Sequence, residues 1–282
     1  MFFDHLPETG FVCGHRGARS IAPENTLLAL EKARDCGAHA WETDVRVSRE
    51  GEPIIFHDDT LERTTDVASH SHFKDRRPWH TERFTVAELR ELDAGSWFLE
   101  TDPYCTVASG EVEEEEKDRI RGQKIPLLGE ILSFTARHRF PVNLELKDLG
   151  TPPGDTLVVD RVLAMLEETG TMDLVLLSSF RHEYLRRARS LSSTLALGVL
   201  VEKKHPPDLI HYLKDLSAAA YHPSVQLLDL ELVHELRRVG VRVNCWTVND
   251  MTRAGELLQA GVGVITDWPQ RLTGTTVYRS YP

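Results

Sequence analysis

Ala40-Trp41-Glu42-Thr43-Asp44-Val45-Arg46-Val47 reads as one β-strand and Pro53-Ile54-Ile55-Phe56-His57 as another, with only Ser48-Arg49-Glu50-Gly51-Glu52 between them. A parallel crossover needs about a dozen residues or more, so so short a link joins the two runs only as an antiparallel hairpin. Working outward, further strand-like runs lie at Phe11–Gly14, Val142–Lys147, Leu174–Ser178, Leu195–Leu200, Ala218–His222, Val241–Thr247 and Val262–Thr266. Helical patterns separate most of them: Thr26–Asp35, Thr85–Leu92 with Thr85 and Glu88 as a capping box, Leu157–Glu168, Leu209–Leu216, Leu230–Val239 and Met251–Gln259. Gly170, Gly240 and Gly261 punctuate three of these helices. Setting the hairpin arm Pro53–His57 aside leaves eight strands alternating with helices. That is the pattern of an α/β closed barrel, although a doubly wound sheet satisfies alternation as well.

The chain has 282 residues, a length that suits a single barrel domain spanning residues 1–282. One stretch interrupts the repeat. Residues from about 58 to 124 are polar and poor in strand signals, and read as an insertion after the second barrel strand. The acidic run Glu111–Glu116 inside it reads as a solvated loop, and His70, His72 and His80 as ordinary residues, with a metal site at odd spacing as the lesser alternative. A net charge of −11 argues against nucleic acid and anionic membranes as bulk partners. No run approaches a membrane span, and the N-terminal residues lack the basic start and apolar run of a secretory signal. Cys13, Cys36, Cys105 and Cys245 form no paired motif and read as free thiols. These features place the protein in the cytoplasm by expectation; oligomeric state has no signal.

Glu42 and Asp44 are two apart on one strand and so point to one face; Glu145 and Lys147 repeat that arrangement on another. Carboxylates gathered near strand ends repel one another unless a cation sits among them. An all-oxygen set selects one hard divalent cation, Mg²⁺ or Ca²⁺. The plainer reading is a structural ion pair, Glu145 with Lys147. His15 ends the first strand before a glycine turn, and His57 ends the hairpin arm, where acid/base groups are natural. Arg16 and Lys147 bring two cations to the same mouth, which suits a phosphate diester.

His15-Arg16-Gly17, Pro23-Glu24-Asn25-Thr26, Glu42-x-Asp44-Val45, the Gly51-x-Pro53 turn into His57-Asp58, and Leu61-x-Arg63-Thr64-Thr65 form an ordered set. With Glu145-x-Lys147, Trp246-Thr247-Val248-Asn249 and Ile265-Thr266-Asp267, it resembles the glycerophosphodiester phosphodiesterase family from about Phe11 to Pro269. The resemblance implies a TIM (β/α)₈ barrel. It implies metal ligands at Glu42, Asp44 and Glu145, an acid/base pair at His15 and His57, phosphate-binding cations at Arg16 and Lys147, and a pocket wall at Trp246. Asn25 is read as holding the first loop or capping the next helix, and Asp267 as a cap or rim residue. The implied reaction is hydrolysis of a small glycerophosphodiester to glycerol 3-phosphate and an alcohol, with no stable membrane association. The nearest alternatives are a lysophospholipase D, a barrel that binds without catalysis, and another barrel enzyme such as an aldolase. Asp102 to Lys124 departs from the family pattern, which leaves the leaving group unassigned.

Overall fold

The computed structural model describes residues 1–150 and 154–273, the side chains of 154 and 156 excepted. Nine strands form one sheet: β1 (Val12–His15), β2 (Ala40–Val47), β3 (Pro53–Ile55), β4 (Val142–Leu146), β5 (Val175–Ser179), β6 (Ala196–Val201), β7 (Ala220–Pro223), β8 (Arg242–Cys245) and β9 (Gly263–Thr266). Their order is β1-β9-β8-β7-β6-β5-β4-β2-β3, and β1 also pairs β2, so eight parallel strands close into a barrel. β3 pairs β2 antiparallel and stands outside the ring as the hairpin arm.

The helices are α1 (Leu27–Asp35), α2 (Val86–Glu91), α3 (Ser96–Thr101), α4 (Glu114–Ile120), α5 (Leu128–His138), α6 (Gly154–Thr169), α7 (His182–Leu191), α8 (Leu209–Asp215), α9 (Leu230–Arg238), α10 (Met251–Gln259) and α11 (Pro269–Thr273). Every residue of β2 is buried because both faces are covered, helices outside and packed side chains within. α3, α4, α5, α7 and α11 are absent from the sequence reading. α5 buries Leu128, Ile131, Leu132 and Thr135 at helical spacing, but Pro126 and Gly129 mask its start. α7 buries only Tyr184, Leu185 and Ala188 beneath an arginine-rich face.

The end of the barrel where the strands begin is closed by the N-terminal segment. Phe2, Leu6 and Phe11 pack on Cys13, Ala40, Leu176, Ala196, Ala220 and Ile265. The three alanines leave room for the phenyl rings, a volume match a close-packed core requires. The opposite end, at the strand C-termini, is left to the loops.

The insertion is not the solvated, polar segment its composition suggests. Leu61, Val67, Phe73, Trp79, Phe84, Leu89 and Leu92 are buried and make a small core with Ile54, Phe56 and Ile125. Phe98, Val112 and Ile120 pack on Ala22, Leu28 and Ala29 of the barrel. The acidic run is likewise not a plain loop. Glu114, Glu115 and Glu116 form the first turn of α4, where negative charge meets the positive end of the helix dipole. Glu116 pairs with Lys32 and Glu111 with Arg271, tying the insertion to the barrel at both places. Among the described residues no helix is long and apolar enough to cross a membrane, and all four cysteines are free.

Candidate active site

β1 delivers His15 to the mouth, and the chain then turns through left-handed Arg16 (φ 54°) and Gly17 (φ 86°). A Cβ on Gly17 would lie 2.6 Å from the Ala29 backbone, so the turn needs glycine for space as well as for φ. The turn aims the Arg16 amide at Glu42, which accepts from it at 3.0 Å.

Strand register gathers the acids. His15 lies opposite Glu42 across β1–β2, and Asp44 opposite Glu145 across β2–β4. Glu42, Asp44 and Glu145 each offer an oxygen within 4.8 Å of the others, and all three residues are buried. Asn25 holds this group from below: its amide donates to Asp44 at 2.8 Å and its carbonyl accepts from Thr43 at 2.7 Å. Two cations already face the cluster. Lys147 Nζ lies 2.7 Å from Glu145 and 3.3 Å from Asp44, and Arg16 Nε 3.4 Å from Asp44. Burial on its own would raise Asp44, but the charges of Lys147 and Arg16 outweigh it and hold that carboxyl far below the usual range. Glu42 is pushed well up, by burial first and then by Asp44 and Glu145. Glu145 is raised by burial against the pull of Lys147. Three carboxylates thus face two cations, one of which, Arg16, is shared with Glu24. A small cavity of about 20 Å³ lined by His15, Glu42, Asn143 and Glu145 adjoins the cluster. Hard oxygen donors, converging charge and room on the scale of one ion or water fit a divalent cation.

Each histidine has its own carboxylate. His15 Nδ1 lies 2.6 Å from Asp267 Oδ1, and Asp267 in turn accepts from Asn249 Nδ2 at 2.8 Å. His57 Nδ1 lies 2.6 Å from Asp58 Oδ1, and Arg63 Nε reaches the other oxygen of Asp58 at 2.5 Å. A carboxylate on Nδ1 fixes the ring and leaves Nε2 for chemistry. Burial and the Arg16 charge push His15 down to about 4, against the upward pull of Asp267. Behind both histidines Glu24 accepts from Arg16, Arg19 and Arg63, the first at 2.7 Å.

These groups surround a cleft of about 290 Å³. One side is lined by His15, Arg16, His57, Glu145 and Lys147, the other by Phe180, Glu202, Trp246 and Thr247. A larger hollow of about 550 Å³ lies near α9 and α10, lined by His234, Arg237 and Arg238. It has no carboxylate cluster or paired histidines, and chemistry rather than volume selects the cleft at the strand ends.

The glycerophosphoryl diester phosphodiesterase family model matches residues 15–271. The chain belongs to this family. Glycerophosphodiester phosphodiesterase of Bacillus altitudinis is 32% identical over 92% of this chain and 95% of its own. The glycerophosphoinositol inositolphosphodiesterase of Homo sapiens is 34% identical over 93% of this chain. This chain spans less than half the length of that protein and of its mouse counterpart, 46% and 32% respectively. Among solved structures, an Oleispira antarctica phosphodiesterase in complex with the product sn-glycerol-3-phosphate matches with TM-score 0.77 and 29% identity, over 96% of this chain and 98% of that one. Members of the family generally use a divalent metal, and the Glu42–Asp44–Glu145 cluster is the candidate site for one here.

Within this family member, the fold brings all eight residues singled out from sequence to one mouth: His15, Arg16, Glu42, Asp44, His57, Glu145, Lys147 and Trp246. The plain ion pair between Glu145 and Lys147 is present as well, within the same cluster. Of the two roles read for Asn25, the cap of α1 belongs instead to Thr26, which accepts from the Ala29 amide, and Asn25 holds the first loop, its backbone N–H donating to the Arg16 carbonyl at 3.1 Å and its side chain to Asp44. One reading changes. Asp267 is neither a cap nor a rim residue but the partner of His15, 7% exposed. Sequence reasoning assigned no role to Glu24, Asp58, Arg63 or Asn249. Asp58 was within reach, as an acid directly after a strand-end histidine; Glu24 also has partners close by in sequence, Arg16 and Arg19 at 8 and 5 positions, whereas Glu24–Arg63 and Asn249–Asp267 span 39 and 18. In the insertion, His70, His72 and Glu91 bring one ligand atom each within 4.8 Å on a partly exposed surface, and His80 lies outside this group.

Proposed function

We propose that this chain is a single catalytic domain, with an insertion at about 58–124, that hydrolyses glycerophosphodiesters to glycerol 3-phosphate and an alcohol. The observation that carries the reading is one cleft faced by two histidines, each tethered to its own carboxylate, beside three clustered acids. The product bound to the Oleispira relative supports glycerol 3-phosphate as one product.

Glu42, Asp44 and Glu145 would hold the divalent cation, Mg²⁺ or Ca²⁺. When bound, it supplies positive charge to the phosphate's non-bridging oxygens. Lys147 and Arg16 lie against the same carboxylates and line the cleft, so they complete the cationic side of the phosphate site. In-line displacement at phosphorus needs a base on the side of the attacking hydroxyl and an acid on the side of the departing alkoxide. His15, at the end of β1, and His57, in the loop after β3, enter the cleft from different segments and divide those tasks. Asp267 and Asp58 keep each Nε2 directed at the reacting atoms and stabilise the imidazolium that forms on the basic partner.

Release of glycerol 3-phosphate from glycerophosphocholine, with and without EDTA, tests this reading. Wild type should turn over and lose activity in EDTA, and folded His15→Ala and Glu42→Ala proteins should be inactive. Folded wild type with no turnover of any soluble glycerophosphodiester, in Mg²⁺ or Ca²⁺, would overturn it.

A further inference from the structure

The two sides of the cleft differ in chemistry, and the difference follows the strand order. His15, Glu42, Asp44, His57, Glu145 and Lys147 come from β1, β2, the hairpin arm and β4. The facing wall is built from residues that follow β5, β6 and β8: Phe180, Glu202 and Trp246. Phe180 and Trp246 meet edge to face, with centroids 5.3 Å apart and planes at 84°. They form a corner of two aromatic walls. The indole is locked there, because its N–H donates to the His222 carbonyl at 2.8 Å. Phe180 is 40% exposed, unusual for a phenylalanine beside a buried charge cluster. Glu202 stands beside the corner. Its backbone carbonyl is held by Ser224 Oγ at 2.8 Å, and its side chain is 60% exposed with the loose contact of Lys203 at 3.9 Å.

We infer that this wall is a subsite for a cationic head group, an ammonium or quaternary ammonium such as the choline or ethanolamine end of the diester. The inference rests on the phosphodiesterase reading above and specifies its leaving group. A substrate carrying a phosphate and an ammonium needs opposite charges at the two ends of the cleft. Arg16 follows β1 and Lys147 follows β4, whereas Glu202 follows β6, which stands opposite β1 in the ring. Ring faces attract a cation through their quadrupole, and a carboxylate adds to the attraction. A polyol head group has different needs. Each hydroxyl asks for a donor or acceptor, whereas this wall offers Glu202 and the Thr247 hydroxyl, its indole N–H being already used. The glycerol hydroxyls are better served on the polar β1–β4 side.

The test uses the full chain with Mg²⁺ or Ca²⁺ and four substrates: glycerophosphocholine, glycerophosphoethanolamine, glycerophosphoglycerol and glycerophosphoinositol. Wild type should prefer the two cationic diesters by kcat/KM. Glu202→Gln should lower kcat/KM for these by about 10-fold and change the two neutral head groups by less than about 2-fold. Phe180→Leu should show the same split. A preference for glycerophosphoinositol, or a Glu202→Gln effect equal across all four, would overturn the subsite while leaving the phosphodiesterase reading intact. If none of the four is hydrolysed, the phosphodiesterase reading fails, and the subsite is judged by calorimetry. Phosphocholine should then bind more tightly than inositol 1-phosphate in wild type and lose that advantage in Glu202→Gln; equal binding overturns the inference.

Discussion

Asp267 and His15 sit 252 positions apart in the chain and 2.6 Å apart in the fold, because β9 closes the barrel against β1. The hydrogen bond spans the seam of the barrel and orients one of the two histidines in the cleft. Asn249 fixes Asp267 in turn, donating through its side chain and accepting from the Asp267 amide at 3.0 Å.

Asp267→Asn should therefore keep the fold and lose function. An asparagine of the same shape presents either an N–H to Nδ1, which reverses the tautomer, or an uncharged oxygen, which no longer stabilises imidazolium. The expected loss is about 10²-fold or more in kcat with little change in KM. Steady-state release of glycerol 3-phosphate, beside a melting curve within a few degrees of wild type, checks it. A large rise in KM at unchanged kcat would mean that Asp267 serves substrate binding instead.

Asn25 makes the corresponding prediction for the carboxylate cluster. It touches Asp44 and Thr43 but no reacting atom, so Asn25→Ala should act through the placement of Asp44. Groups that orient a metal ligand typically change affinity by about 10- to 100-fold. The metal concentration for half-maximal activity should rise by that factor after EDTA treatment, and saturating metal should restore most of kcat. Unchanged metal dependence would argue that the cluster does not hold the ion.

Much of this was legible in the sequence because it is local. The hairpin arm followed from a link too short to cross over. The pairing of Glu42 with Asp44 followed from the two-residue repeat of a strand. The insertion's core was hidden, since Phe73, Trp79 and Phe84 follow neither period and pack through short 3₁₀ turns and loops. Asp267 was read as a cap or rim residue and Asn249 given no role, because barrel closure, which brings Asp267 to His15, leaves no spacing signal; the reach of Arg63 to Glu24 across 39 positions is equally silent in the sequence.

His222 predicts the acid limb of stability. Its ring is fully buried, 2.9 Å from Asn244 Nδ2, and burial pushes it down to about 3. In the unfolded chain it titrates near 6.5. Above that value it is neutral in both states and its burial is unopposed. As pH falls from about 6.5 toward 3 the unfolded state takes up a proton that the native state refuses, so stability falls, by at most about 1.4 kcal/mol per pH unit from this group. Urea unfolding at successive pH values should show a shallower decline for His222→Gln than for wild type across that window. Parallel declines would show that other groups set the limb.

Glu24 makes the strongest stability prediction. One carboxylate with 3% of its side chain exposed accepts from Arg16, Arg19 and Arg63, so a single neutralisation leaves three guanidinium groups short of their counter-charge. Burial by itself would raise Glu24, and the Arg16 and Arg19 charges overcome it, holding the carboxyl far below its ordinary range. Its contribution is present above the unfolded value near 4.5 and is lost as pH falls below that. Glu24→Gln keeps the shape and removes the charge. Breaking a buried pair by removing one partner costs about 3–5 kcal/mol, and the exposure of Arg63 places this case toward the lower end. At pH 7 the variant should lose about 3 kcal/mol in denaturant unfolding, and the gap to wild type should narrow below pH 4.5. Because Arg16 loses its anchor, KM should rise more than kcat falls. A variant of wild-type stability would mean that solvent around Arg63 already screens the network.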